Sequence, residues 1–282
     1  MRRLGQVLAD MAELMALSAS GSGAELAALA EGLPRAPKLV ELALALYPSG
    51  EPAATASIAT ALGQCQSLAS VRVLSGSDDA QLDDGPQAAV QALAEVHRAP
   101  SLLEVGLYGV PLRPADLQAL ALALPRCAKL HTLDLCRASL HDDVLERMVR
   151  NVLAHCSRLE LLWLSGNGMG QSGVRCLQRT LAACCPKVWF LELSDNQLED
   201  APCDVVDLAR QLPQLRMISC WEQLDDRHAG ILQGLLHRNN EYHAVRQRVL
   251  LWQLASRHVK LRPRLPAELV EYICSEFVGS LP

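Results

Sequence analysis

Residues 159–169 read Leu159-Glu160-Leu161-Leu162-Trp163-Leu164-Ser165-Gly166-Asn167-Gly168-Met169. Apolar residues hold the first, fourth, sixth and eleventh places of this frame, and Asn167 holds the ninth. Other segments of the chain fall into the same register, at intervals of 25 to 34 residues. The frames start at Leu14, Leu39, Leu68, Leu102, Leu130, Leu159, Val188 and Leu215. Eight matches in one register indicate a tandem repeat.

Each repeat combines a strand pattern with a helix pattern. Apolar residues at the fourth and sixth places alternate with other types, as in a strand with one buried face. Between the frames, apolar residues recur at helical spacing, which places them on one helical face. These sets are Leu26, Leu29 and Leu33; Leu117, Leu120 and Leu124; Val174, Leu177 and Leu181; Val205, Leu208 and Leu212. No single repeat can bury both elements, so the repeats are expected to stack.

The frame LxxLxLxxNxL, with repeats of about 28 or 29 residues, resembles the leucine-rich repeat in its ribonuclease-inhibitor-like subtype. The resemblance covers roughly residues 14 to 238. It implies an α/β solenoid, shaped as a horseshoe, with a parallel concave sheet and convex helices. It also implies a non-enzymatic module that binds a protein partner on the concave face, because the family includes many interaction proteins.

Two features depart from the family pattern. Asparagine stands at the ninth place only in the frames of Asn167 and Asn196, where its side chain is expected to bond the backbone of the turn. The longest interval contains an acidic insertion, residues 75–86, which lacks the alternating acids and closing glutamate of a calcium loop. We therefore interpret this insertion as a solvated loop. The degenerate frame at Leu14 is expected to belong to an N-terminal cap.

The regular spacing ends after Leu215. A helix is predicted to end at residues 237–240, a second to run from about Glu241 to His258, and a third to begin at Pro266. Such a segment is suited to cover the open end of the core. The predicted organisation is a repeat domain at residues 1–238, with about seven to eight repeats, followed by a helical cap at residues 239–282.

Four of the ten cysteines share one place in the repeat. Cys65, Cys127, Cys156 and Cys185 each stand three residues before a frame start, where other repeats have alanine or leucine. A place that accepts Cys, Ala or Leu is a small buried apolar slot. The thiols are therefore predicted to be reduced and structural, which favours the cytoplasm.

Composition narrows the class of protein further. The net charge of −5 disfavours a sequence-independent nucleic-acid binder, and no apolar run is long enough to cross a membrane. No secretory signal appears. No metal-ligand spacing or phosphate-binding loop appears either, so we expect no cofactor and no metal. The protein is expected to be soluble and cytoplasmic, in the host-cell cytoplasm if it is a secreted effector.

The third, fifth and seventh places of each frame should face the concave surface. The chain has only ten aromatic residues, yet four fall at these places and Trp189 falls beside them on the rim. Together with nearby apolar and acidic residues they form the predicted partner-binding surface: Tyr108, Asp134, Leu161, Trp163, Trp189, Phe190, Glu192, Met217 and Trp221. Large exposed rings are typical of protein interfaces, and the acidic residues favour a basic or mixed-charge partner. The alternative is that some rings pack on one another or under the C-terminal cap.

The sequence also bears on catalysis and on two alternative functions. Cys136 and His131 lie too far apart along one strand to act as a nucleophile and its base, so no catalytic residue is predicted. The tail from Leu265 to Phe277 resembles the opening of an F-box. This resemblance implies docking to a ubiquitin-ligase adaptor, with the chain as the substrate-recognition subunit of the ligase. In one form of this alternative, the protein is a bacterial effector that is translocated into host cells. A GTPase-activating protein of the Ran type is the third alternative, although no matching catalytic position is present.

Overall fold

Every predicted frame forms a strand that begins at its third place. The computed structural model describes residues 14–21, 32–33, 36–46, 61, 65, 67–75 and 102–257, with side chains up to residue 244 except those of Leu46, Ser75 and Pro125. Within them, the strands are β1 (Ala16–Gly21), β2 (Glu41–Leu46), β3 (Ser70–Ser75), β4 (Glu104–Tyr108), β5 (Thr132–Asp134), β6 (Leu161–Trp163), β7 (Phe190–Glu192) and β8 (Met217–Ser219). They pair in chain order in one parallel sheet.

The pairing register of the sheet reproduces the sequence frame. The third-place residues lie opposite one another from the first strand to the last: Ala16, Glu41, Ser70, Glu104, Thr132, Leu161, Phe190 and Met217. A slip of one residue would turn the apolar residues to the opposite face, so the register depends on the buried leucines. The degenerate frame at Leu14 also contributes a strand, which pairs with β2.

The described helices follow the strands of the later repeats. They are α1 (Pro114–Ala123), α2 (Asp142–Asn151), α3 (Gln171–Cys184), α4 (Pro202–Gln211) and α5 (Asp226–Arg257). Proline at the first helical position starts α1 and α4, since its missing N–H needs no partner there. Leu117, Leu177 and Leu208 are buried, as their helical spacing predicts. The α/β solenoid with helices on one side of the sheet is confirmed.

A short ladder of asparagines joins three neighbouring turns. The Asn167 side chain accepts hydrogen bonds from the backbone N–H groups of Ala138 (2.9 Å) and Leu140 (3.1 Å). Its amide donates to the carbonyl oxygens of Leu135 and Leu164, both at 2.9 Å. Asn196 repeats the pattern one turn further on, where it accepts from the N–H groups of Asn167 and Met169. The predicted role of the ninth-place asparagine is confirmed in both repeats.

The residue before the ninth place adopts a left-handed backbone in four successive turns. Gly109, Arg137, Gly166 and Asp195 have φ between 53° and 70°. Glycine adopts this region freely, whereas a side chain makes it unfavourable by about 1–2 kcal/mol. The turn geometry is therefore set by the stacking of the repeats, even where the local residue disfavours it.

The predicted helix end at residues 237–240 is wrong, because α5 continues without a break through Arg257. Its 32 residues span about 48 Å at 1.5 Å per residue. Asn239 is buried, and its amide donates to the carbonyl oxygens of Leu212 and Leu215. These bonds to the last repeat satisfy a side chain that would otherwise favour a helix end. The domain boundary predicted at residues 238/239 thus falls inside a helix.

The start of α5 packs on the last repeat. Leu232 and Leu236 belong to the same buried cluster as the leucines of the frames. Covering the final repeat in this way is what the end of a solenoid requires. The acidic insertion after Ser75, the helical residues Leu26 and Leu29, and the F-box-like tail at residues 265–277 lie outside the described residues.

The four cysteines predicted as core residues are buried and have free thiols. Each Sγ donates to a backbone carbonyl, as Cys156 does to Val152 at 3.4 Å. Burial raises the pKa of Cys65 to about 11 and those of Cys156 and Cys185 to about 12, and it also raises that of Cys127. Protonated, buried thiols are poor nucleophiles.

We therefore expect these four thiols to react with iodoacetamide at least about 100-fold more slowly in the folded chain than after unfolding in urea, since opening of the core must precede reaction. Peptide-resolved mass spectrometry of pulse-labelled protein measures both rates. Fast labelling of any of the four in the folded chain would contradict the repeat register.

Candidate functional site: the concave face

Six of the nine predicted partner-binding residues lie in two rows that cross the sheet. The third-place row brings Leu161, Phe190 and Met217 side by side on β6, β7 and β8. The fifth-place row places Asp134 opposite Trp163, and Trp163 opposite Glu192. Neighbouring strands are about 4.8 Å apart, so each row forms a continuous surface. Tyr108 and Trp221 occupy the seventh place of their frames, and Trp189 the second.

Three of the rings pack on one another. The ring centroids of Trp163 and Phe190 are 4.6 Å apart with the planes tilted by 44°, and those of Trp189 and Phe190 are 6.1 Å apart, edge to face. Phe190 is consequently only 8% exposed. Phe190 therefore packs against both tryptophans, in agreement with the alternative expectation that some of the rings pack on one another.

Other apolar side chains of the predicted surface face solvent. Met217 is 54% exposed, Trp221 42% and Tyr108 36%. Trp163 and Leu161 are half-buried between them. Exposing several large apolar groups on one face is unfavourable in water, and such patches are characteristic of interaction surfaces.

The acidic side chains of this face differ in their partners. Glu104 forms a salt bridge of 2.6 Å with Arg72 and accepts a hydrogen bond from the Ser70 hydroxyl. Asp134 accepts from the backbone N–H of Cys136 at 3.0 Å, a neutral donor. Neutral donors fix a carboxylate in place without cancelling its charge.

Glu192 is held in the same way one strand further on. Its carboxylate accepts from both the backbone N–H (3.0 Å) and the hydroxyl (2.5 Å) of Ser194. The Trp163 indole therefore lies between two oriented carboxylates, because Asp134 and Glu192 are its direct neighbours on β5 and β7.

Two cavities open on the concave face and meet at Tyr108, Asp134 and Trp163. The larger measures about 420 Å³ and extends across β3 to β6, from Arg72 to Leu161. A smaller one of about 260 Å³ contains charged groups of both signs. It is lined by Tyr108, Asp134, Cys136, Arg137, Trp163, Ser165, Glu192 and Asp195. We call the two together the concave groove.

Arg137 and Asp195 line this groove although they stand at the eighth place of their frames. The Arg137 guanidinium lies 5.8 Å from the centre of the Tyr108 ring, at cation–π distance. These two residues do not belong to the alternating set that predicts the concave surface, because the alternation of a strand ends before the turn. Their left-handed backbone, which no sequence pattern marks, turns them toward the groove.

Trp189 lies on the rim, where it contacts the C-terminal helix through an arginine. The Arg216 guanidinium is 5.6 Å from the centre of the Trp189 ring and within hydrogen-bond distance of the His243 ring on α5. Trp189 thus contributes to the junction between the last two repeats and α5 as well as to the edge of the concave face.

Cys136 is not a plausible nucleophile. Burial, followed by the negative charges of Asp134 and Glu192, raises the pKa of its thiol to about 12. His131 contacts the Thr132 hydroxyl at 2.8 Å. Both observations agree with the rejection of this pair as catalytic groups.

Within the described part of the chain, no group of three or more His, Cys, Asp or Glu residues is placed to hold a metal ion. Among the described helices, none has the length and apolar character that a membrane crossing needs.

The repeat register and the asparagine ladder together decide the fold. The chain folds as a leucine-rich-repeat solenoid. Its sequence matches no protein-family model and no curated protein. Solved structures with a similar fold include actin-binding site 2 of leiomodin-1, with 18% identity, a TM-score of 0.49 and coverage of 61% of this chain and 96% of that one.

Two bacterial structures are also similar to this leucine-rich-repeat chain. The leucine-rich-repeat-containing protein LegL7 of Legionella pneumophila shares 16% identity at a TM-score of 0.47, over 73% of this chain and 65% of that one. An internalin of Listeria monocytogenes shares 14% identity at a TM-score of 0.36, over 75% and 62%.

Proposed function

We propose that this chain is a non-enzymatic interaction module whose concave groove binds a protein segment that carries an arginine or lysine. The observation that carries the proposal is the fifth-place row, in which Trp163 lies between Asp134 and Glu192. An indole face flanked by two carboxylates attracts a cation through both its ring and its charged neighbours.

The size of the groove supports a side chain as the occupant of its charged end. The smaller cavity, about 260 Å³, falls below the range of roughly 300–1,000 Å³ that is usual for small-molecule sites. It contains the carboxylates of Asp134, Glu192 and Asp195 beside two aromatic rings. The three carboxylates outnumber the single guanidinium of Arg137 in the lining, so one long basic side chain matches both the volume and the net negative charge.

The third-place row would bind the apolar part of the same segment. Leu161 and the exposed Met217 are its outer members, and the buried Phe190 lies between them. Trp221 follows the last strand, as the first residue of a short 3-10 helix, and offers a further exposed ring beside Asp195 and Ser219. Burying it would contribute about 25 cal/mol for each Å² of apolar surface removed from water.

Packing of the rings prepares the groove for binding. Phe190 contacts the Trp163 ring from one side, and such an aromatic pair contributes about 0.5–1.5 kcal/mol beyond its buried area. A tryptophan that is already fixed loses little conformational entropy when a partner binds, which favours affinity.

The first test uses a peptide selected from a random display library against the full chain. We expect Trp163→Ala to weaken binding of this peptide by at least about 30-fold, since Trp163 lines both cavities of the groove and a central ring commonly contributes 2 kcal/mol or more. Trp221→Ala should weaken it less, because Trp221 lines a neighbouring cavity. Fluorescence anisotropy measures the dissociation constants, and circular dichroism verifies that each variant remains folded.

The matched control is Tyr242→Ala. Tyr242 is 63% exposed on α5, away from the groove, so its removal should change the dissociation constant less than twofold. A peptide that binds equally well to the wild type and Trp163→Ala would contradict the proposed site.

The requirement for a basic side chain in the partner is tested separately by the double variant Asp134→Asn with Glu192→Gln. Selected peptides without Arg or Lys, or unchanged affinity in this variant, would overturn it.

A further inference from the structure

Outside the concave groove, the side chains of Cys203, His228 and Asp225 contact one another in the order of a nucleophile, its base and a group that orients the base. The Cys203 sulfur lies 3.3 Å from Nε2 of His228. The other ring nitrogen of His228, Nδ1, contacts the Asp225 carboxylate at 2.7 Å. A thiol within reach of an imidazole, which a carboxylate orients in turn, is the arrangement that activates nucleophilic cysteines.

The two helix ends hold this cluster together. Cys203 is the second residue of α4, whose N-terminus has no capping side chain, and His228 lies in the first turn of α5. The positive end of a helix dipole stabilises a thiolate. Asp225 accepts a hydrogen bond from the backbone N–H of His228 at 2.9 Å, so it both caps α5 and orients the imidazole.

The charges around Cys203 do not oppose a thiolate strongly. The two carboxylates on its own helix, Asp204 and Asp207, form salt bridges with Arg175 (2.8 Å) and Arg210 (2.7 Å). Hydrogen bonds from the backbone and then the ring of His228 lower the pKa of Asp225, which keeps that carboxylate ionised at neutral pH.

Exposure separates Cys203 from the other described thiols. It is exposed, whereas Cys176 and Cys184 are half-buried and the remaining six are buried. The sequence alone gave no reason to connect Cys203 with His228, because 25 residues separate them. Stacking of α4 against α5 brings them into contact.

We propose that Cys203 is a reactive thiol that peroxide and other small soft electrophiles modify, with His228 as its base and Asp225 as a positioning residue. Sγ transfers its proton to Nε2 of His228, and the thiolate then attacks. With hydrogen peroxide, an S–O bond forms as the O–O bond breaks. The leaving hydroxide takes the proton from His228 and departs as water, so the sulfur is oxidised to a sulfenic acid and the peroxide is reduced.

Native labelling of the full chain with iodoacetamide at pH 7, resolved by peptide mass spectrometry, tests the activation. We expect Cys203 to be alkylated first among the nine cysteines that the structure describes. His228→Ala should slow its alkylation about tenfold, because an unassisted thiol is only a few per cent thiolate at this pH. Asp225→Asn, which preserves the cap, should give an intermediate rate. A His228→Ala rate within twofold of the wild type would overturn the proposal.

Repeating the measurement at pH 9.5 separates ionisation from access. If His228 acts as the base, the wild-type and His228→Ala rates should converge at this pH, because solution hydroxide then supplies the base that the variant lacks. A tenfold difference that persists would show that the substitution only changes access, and would overturn the assigned role. Trapping with dimedone after exposure to hydrogen peroxide should mark Cys203 in the wild type; an unmarked Cys203 would contradict the sulfenic acid product.

Discussion

Replacing Asn167 with alanine is expected to lower the free energy of unfolding by about 4 kcal/mol, among the largest effects of any single substitution. The side chain is 2% exposed and serves five backbone groups of two adjacent turns. Alanine removes the partner of the Ala138 and Leu140 N–H groups and of the Leu135 carbonyl, whereas the carbonyls of Leu164 and Ser165 still accept from Asn196 and Arg137. Each of the three groups left unpaired costs about 1–3 kcal/mol unless water reaches it. Urea denaturation followed by far-UV circular dichroism measures the change.

Asn151 provides the matched control. It is exposed at the end of α2, so Asn151→Ala should change the free energy of unfolding by less than about 0.5 kcal/mol. Asn167→Asp should destabilise the fold as well, since it removes the amide donor and buries a charge. If Asn167→Ala and Asn151→Ala unfold at the same urea concentration, the ladder does not support the turns.

Two adjacent leucines on β6 should respond very differently to truncation. Leu162 is fully buried in the core, and Leu162→Ala is expected to cost about 3–4 kcal/mol through lost burial and the cavity that remains. Leu161 is half-buried on the concave face, so Leu161→Ala should cost about 1 kcal/mol or less. The two variants lose the same atoms from adjacent residues of one strand. The difference between their free energies of unfolding therefore measures which of the two side chains faces the core.

Chemical denaturation of the two variants under identical conditions gives this difference. Equal losses, or a larger loss for Leu161→Ala, would mean that β6 is shifted by one residue in its pairing. Such a shift would also remove Trp163 from the concave face, so the measurement tests the placement of the proposed binding row.

The strands and their register were predictable because the alternation that specifies them is local. Leu159, Leu162 and Leu164 identify one face of β6 from sequence alone, and repetition of the frame then fixes its neighbours. The first residues of α1 and α2, Pro114 and Asp142, are likewise of types that suit the first turn of a helix.

Features that depend on contacts between repeats were not predictable. The burial of Phe190 results from rings contributed by two neighbouring frame positions. Likewise, the continuity of α5 depends on the bonds from Asn239 to the last repeat. The contact between Cys203 and His228 arises from the packing of two helices and leaves no mark in either helix alone.

At two of the left-handed turns, the residue type that would be most stable differs from the residue that lines the groove. Arg137 and Asp195 adopt a backbone conformation that glycine would adopt at lower cost, as Gly109 and Gly166 do in the turns beside them. Both side chains line the groove that we propose as the binding site. A chain selected only for durability would have glycine at these two positions. The charged residues at these positions lower the stability of the turns, but their side chains line the groove. Designs that raise thermal stability by making the repeats alike would therefore remove these side chains and the specificity they give the groove.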